Sequence, residues 1–339
     1  MSETPPYPLH TSVAPFLAPE YVSFYNAHVI DKQQVHLQPV AASRSSGILI
    51  PGGGPLLEVG KTIDITITRR ETEGPDIPLR IFTPLGEPPK DGWPVMLYFH
   101  GGGWVLGNIE TENVVCSNLC VRGRCVVVTV DYRLAPENPW PAAVHDSWET
   151  LLWLLTPSAF KSPALNINVD IAKLATGGSS AGGNLAAIIT QKALTLSPPV
   201  TFLAQLLSVP VTDNTATVST NASYRSYEFT PALPAAKMLW YRNHYLPDPN
   251  DWAHPEASPL FWSGDWTRLP RALVMVGELD VLRAEGEEYA ERLRGAGVEV
   301  DLQVMQGMPH PFLAMDGVLS EGRRSITLMC ELLRGVFWG

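Results

Sequence analysis

Little in this sequence suits a membrane, a nucleic acid or an oxidising compartment. No apolar run approaches the roughly eighteen residues that a membrane-spanning helix needs. Met1 to His10 has neither the basic start nor the apolar stretch of a secretory signal, so a cytoplasmic location is expected. Basic residues are scarce: Lys+Arg 24 against Asp+Glu 34, a net charge of -10. Without a basic stripe to neutralise phosphates, nucleic acid is not an expected partner. There are only 4 cysteines, and three of them (Cys116, Cys120, Cys125) fall close together. No histidine lies beside them to complete a metal set, and Cys125 opens a β-like run. Buried free thiols are expected there and at Cys330. Asn221-Ala222-Ser223 matches a glycosylation sequon, which without a signal segment is read as chance. Neither a metal nor an organic cofactor is implied.

What the chain does have is a sizeable apolar fraction, 45% of 339 residues, enough to bury a large core. No repeat and no low-complexity block is visible. Prolines cluster in the first ninety residues and in 198–270, which are expected to be loop-rich. Helical spacing of Tyr21, Phe24, Tyr25 and His28 suggests a helix within 11–35, and 36–60 reads as a connector. Period-2 alternation or continuous apolar runs predict strands over 61–70, 77–83, 95–99, 125–130, 171–176, 202–207, 272–276 and 298–304. Helical patterns fall at 110–121, 141–155, 182–194, 284–294 and 317–334. Strands alternating with helices predict an α/β fold, a mostly parallel eight-stranded sheet with helices on both faces. Residues 210–268 break the rhythm, carry one good helix near 234–245, and read as a cap insertion. The expected organisation is an N-terminal segment 1–60 contributing to the cap, a catalytic domain of 61–209 and 269–339, and the insertion 210–268.

Two glycine-bearing motifs sit at strand ends. His100-Gly101-Gly102-Gly103-Trp104 follows one apolar strand, and Gly178-Ser179-Ser180-Ala181-Gly182 follows another and opens a helix. The second has the G-x-S-x-G form of a nucleophile elbow; the first has the form that supplies backbone N–H donors to an oxyanion hole. No G-K-[ST] or G-x-G-x-x-G follows the glycine run, so a phosphate cradle is disfavoured. The elbow needs small residues two before and two after its serine. Gly178 and Gly182 provide this for Ser180, whereas Ser179 would have Gly177 and Ala181. Ser180 is therefore the preferred nucleophile.

A serine needs a base, and the base needs an orienting group. Of eight histidines only His310 follows a late strand. His100 is expected to brace the glycine loop. Asp280 competes with Glu278 for the orienting role and has the better context. Ligands in open parallel sheets bind beyond the carboxyl ends of the strands, and all four features land on that edge. The order Ser180, Asp280, His310 is that of α/β-hydrolases. The expected oxyanion donors are the amides of Gly101, Gly102 and Ala181. Trp104, Phe229 and Trp240 are the aromatic candidates for substrate binding.

These motifs, with Asp131-Tyr132-Arg133-Leu134-Ala135-Pro136-Glu137, Asp280-Val281-Leu282-Arg283 and His310-Pro311-Phe312, resemble the hormone-sensitive-lipase-like branch of α/β-hydrolase carboxylesterases, which includes arylacetamide deacetylase-type enzymes. The match spans about residues 94–315, and Pro19 to Asn26 is similar to fungal members. The resemblance implies the Ser180–Asp280–His310 triad and a cap formed by the N-terminal segment and 210–268. It implies hydrolysis of carboxylic esters with small to medium acyl groups, with a small-molecule ester as partner. Two positions depart from the pattern: Ser179 stands where many members carry an acid, and Pro311 where glycine often follows the histidine. Asp131 and Arg133 are expected to form a buried ion pair. Amide or formamide hydrolysis, and acyl transfer or release on a secondary-metabolite intermediate, use the same residues. A non-catalytic small-molecule receptor shares the scaffold, but the receptor family lacks the histidine found here. A homodimer is compatible with the sequence.

Overall fold

The sheet alternates its side chains between two hydrophobic layers, and this alternation fixes everything above it. The computed structural model describes residues 6–45 and 51–339. Its strands are β1 (Lys61–Ile67), β2 (Ile77–Thr83), β3 (Trp93–Phe99), β4 (Val126–Val130), β5 (Val169–Ser179), β6 (Ala204–Ser208), β7 (Arg271–Gly277) and β8 (Val300–Met305). They form one 8-stranded sheet in the order β1-β2-β4-β3-β5-β6-β7-β8. Only β2 runs against its neighbours β1 and β4; every later pairing is parallel. The mostly parallel sheet expected from the sequence is thus present.

The helices are α1 (Pro19–His28), α2 (Val40–Ser45), α3 (Asn113–Gly123), α4 (Ala142–Leu154), α5 (Ala181–Ala193), α6 (Ala222–Ser226), α7 (Ala235–Tyr245), α8 (Arg283–Gly295) and α9 (Ser320–Trp338). Val95, Leu97 and Phe99 of β3 face the layer that holds Leu151 of α4, Ile188 of α5 and Leu293 of α8. Met96 and Tyr98 face the opposite layer with Leu119 of α3, Met329 of α9 and Tyr25 of α1. Successive strand residues point to opposite faces, so a strand covered on both sides must be apolar throughout. That is why 95–99 and 126–130 are nearly unbroken apolar runs.

All four cysteines are free and buried, as expected. Burial pushes the Cys120 and Cys330 thiols up to about 12, which leaves them protonated and inert. The sequon is structural in use: Asn221 caps α6, its side-chain oxygen accepting from the Ser223 amide at 2.9 Å and the Tyr224 amide at 3.3 Å. The expected Asp131–Arg133 ion pair is replaced by a different one. Arg133 donates instead to Asp146 of α4, from Nη2 at 2.9 Å and from its backbone amide at 2.7 Å, and Arg69 joins the same carboxylate. Asp146 is one turn into a helix and presents its carboxylate to the 131–133 loop, which lets one acid serve both arginines.

Candidate active site

The elbow is tightly packed. Ser180 stands between β5 and α5 with φ 54° and ψ −118°, left-handed backbone that an L-residue adopts only under constraint. Its amide donates to the Ser208 carbonyl at 2.8 Å, which ties the turn to β6. A Cβ on Gly178 would come 2.4 Å from the Phe99 carbonyl oxygen, and one on Gly182 only 1.9 Å from it. The two glycines are therefore required because the elbow packs against the end of β3, where the glycine loop begins. The two motifs are in direct contact.

Ser180 and His310 are each 6% exposed and Asp280 is 0% exposed. His310 Nδ1 lies 2.8 Å from Asp280 Oδ2, and His310 Nε2 lies 2.9 Å from Ser180 Oγ. An ionised carboxylate can only accept, so Nδ1 carries the ring proton and Nε2 is free to accept the serine hydroxyl. The Leu282 amide donates to Asp280 Oδ1 at 3.1 Å and fixes the carboxylate plane. Glu278, the competing acid, is occupied elsewhere by the Gly307 amide at 2.7 Å. Ser179 points away from His310, donating its hydroxyl to Glu112.

That contact explains the departure at Ser179. A carboxylate does stand behind the elbow, but it arrives from Glu112 at the start of α3. Tyr98 donates to its other oxygen at 2.9 Å, and the Gly101 amide faces it as well. Burial pushes the Glu112 carboxyl up, against the pull of those donors. This bears on the amides expected to receive an oxyanion. The Gly101 amide is engaged by Glu112, whereas the amides of Gly102 and Gly103 have no acceptor among the described residues. Both have positive φ, 128° and 61°. Ala181 opens α5, where an amide has no partner within its own helix. The amides of Gly102, Gly103 and Ala181 are thus free of such an acceptor among the described residues, while that of Gly101 faces Glu112. His100 braces the loop as expected. It stacks on Tyr132 at 4.3 Å with Nδ1 2.7 Å from the Gly101 carbonyl, and burial holds its pKa down to about 4.

Ser180 and His310 open on a cavity of about 820 Å³ walled by 8–38 from the N-terminal segment and 228–241 from the insertion. Of the three aromatic candidates, only Phe229 lines it, and Phe229 is 51% exposed. Trp104 is 0% exposed and stacks on Tyr245 at 4.2 Å, joining the glycine loop to α7 from behind. Trp240 turns toward His244, at 4.6 Å, and is not part of the cavity wall. Tyr241 also lines the cavity, and its ring covers Gly103 so closely that a Cβ there would be 2.4 Å away. Adjacent helical residues differ by about 100° in direction, which separates Trp240 from Tyr241.

Residues 96–314 match the alpha/beta hydrolase fold family. The chain belongs to that family, in its hormone-sensitive-lipase-like branch. It is 48% identical over 324 residues to an AB hydrolase superfamily protein of Schizosaccharomyces pombe, covering 93% of each chain. It is 33% identical to an arylesterase of Saccharolobus solfataricus, over 93% of this chain and 95% of the relative. Among solved structures, one from a study of two fungal esterases from Rhizomucor miehei superposes with a TM-score of 0.83 at 32% identity, covering 95% of this chain and 97% of that one.

Proposed function

We propose that Ser180 attacks the carbonyl of a carboxylic ester while His310 Nε2 takes its proton, and that Asp280 holds the imidazole and steadies the imidazolium. The protein is a serine ester hydrolase. The amides of Gly102, Gly103 and Ala181 receive the oxyanion, His310 protonates the leaving alcohol, and water then releases the acid by the same route. The observation that carries this reading is His310 bridging Asp280 and Ser180 at 2.8 and 2.9 Å where the cavity meets the elbow. A histidine in hydrogen-bonding reach of the serine weighs against a receptor role. The cavity's wall supports assigning 1–60 and 210–268 to the cap over a catalytic domain of 61–209 and 269–339.

A volume of about 820 Å³ is ample for small and medium acyl groups. The test is a chain-length series of p-nitrophenyl esters from acetate to decanoate, with matched anilides, run on the wild type and on Ser180→Ala. Ester turnover should peak among the shorter chains and exceed anilide turnover. Ser180→Ala should lose about 10⁴- to 10⁶-fold in kcat while staying folded. Undiminished turnover in that variant would reject Ser180 as nucleophile.

A further inference from the structure

Two lysines line the cavity in a chain of net charge -10. Lys237, Lys32, His10, His28 and His36 line it, against a single acid among the described residues, Glu228. Lys237 is the informative member. It lies on the cavity face of α7, half-buried, and its Nζ donates to the Ala232 carbonyl at 2.7 Å. No carboxylate forms an ion pair with it among the described residues, so two of its three N–H donors have no fixed acceptor. Desolvation without a compensating anion pulls its pKa down to about 8, which still leaves it charged at neutral pH. Beside it, His36 Nδ1 is buried with no hydrogen-bond partner among the described residues, and the charge of Lys237 acts on that ring.

Position relates this corner to the chemistry. Tyr241 covers Gly103 of the glycine loop, and Lys237 is one helical turn away, with Nζ 5.9 Å from the Tyr241 ring centroid. A group held by Lys237 therefore lies alongside the Tyr241 ring that covers the glycine loop, on the wall of the cavity that Ser180 and His310 share. A cation left without its counter-charge in a half-dry pocket costs stability unless a ligand supplies the anion. We infer that the preferred substrates are anionic esters, whose carboxylate is taken up by Lys237 and His36 while the ester carbonyl sits at Ser180. This rests on the ester-hydrolase reading and adds the substrate's charge to it. Hydrolysis of such a hemiester consumes one water and yields a dicarboxylate, an alcohol and a proton.

The experiment compares monoethyl glutarate with its neutral isostere, ethyl 5-methylhexanoate, by pH-stat at pH 7. The wild type should favour the hemiester in kcat/KM by at least tenfold. Lys237→Met should reduce that ratio at least tenfold, chiefly through KM, and Lys237→Arg should retain most of it. A wild-type ratio near one, or a ratio that Lys237→Met leaves unchanged, overturns the inference and leaves the esterase intact. Calorimetry on Ser180→Ala protein separates the two readings. Binding of monoethyl glutarate that is weakened tenfold or more in Ser180→Ala/Lys237→Met supports the anion site even if no ester is turned over. Equal binding by the two proteins overturns it.

Discussion

The catalytic edge and the cap wall are built by opposite means. Ser180, Asp280 and His310 sit at strand ends with at most 6% exposure, and the glycines that frame the elbow have no room for an added atom. The cap wall is assembled from segments about two hundred residues apart, with side chains such as Phe229 half open to solvent. The first region positions reacting atoms and the second sets what can approach them. Substitutions at the edge should therefore act on kcat, and substitutions in the wall should act on KM and on selectivity.

The largest effect that would sharpen this contrast, after removal of the nucleophile, is expected at the glycine loop. Gly103→Ala would drive a methyl group into the Tyr241 ring and strain a backbone at φ 61°. It should lower kcat about 100- to 1000-fold, the loss typical of one oxyanion donor. A change confined to KM would assign Gly103 to the wall instead. A smaller effect is expected behind the elbow. Glu112→Gln turns an amide NH₂ toward groups that already donate, so it should cost about 1–3 kcal/mol in denaturant unfolding and about tenfold in kcat. Unchanged stability would show that the buried carboxylate is not what holds Ser179, Tyr98 and the glycine loop together. The smallest effect is expected at Trp240, which faces His244. Trp240→Ala should keep kcat/KM within about twofold, while Tyr241→Ala should raise KM severalfold. The reverse order would put Trp240 in the wall.

The edge was legible because its rules are local. An apolar strand followed by glycine and serine can close only one way, and β2, α4, α5 and α8 lie within a few residues of their expected positions. β5 runs three residues further than its apolar core because Gly177, Gly178 and Ser179 still pair with β6. The short helices α2 and α6 carry too few residues for a period to emerge. What the sequence left illegible at the site depends on long-range packing. The Gly101 amide faces Glu112, a residue 67 positions from Ser179 with nothing in its neighbourhood to announce it. Trp104 is large and adjacent to the loop, yet it packs behind it on Tyr245. Lys237 and Tyr241 share a face of α7 at i and i+4, a spacing visible in the sequence, but the direction of that face depends on how α7 docks. Residues 1–5 and 46–50 of the N-terminal segment expected to contribute to a cap lie outside the described residues.

The proposed chemistry depends on Ser180, and not its neighbour Ser179, being the activated hydroxyl. Treating the full chain with a fluorophosphonate and mapping the adduct by peptide mass spectrometry tests it most directly. One adduct is expected, on Ser180, abolished in Ser180→Ala and in His310→Ala and retained in Ser179→Ala. An adduct on Ser179, or labelling that survives the loss of Ser180, would contradict it.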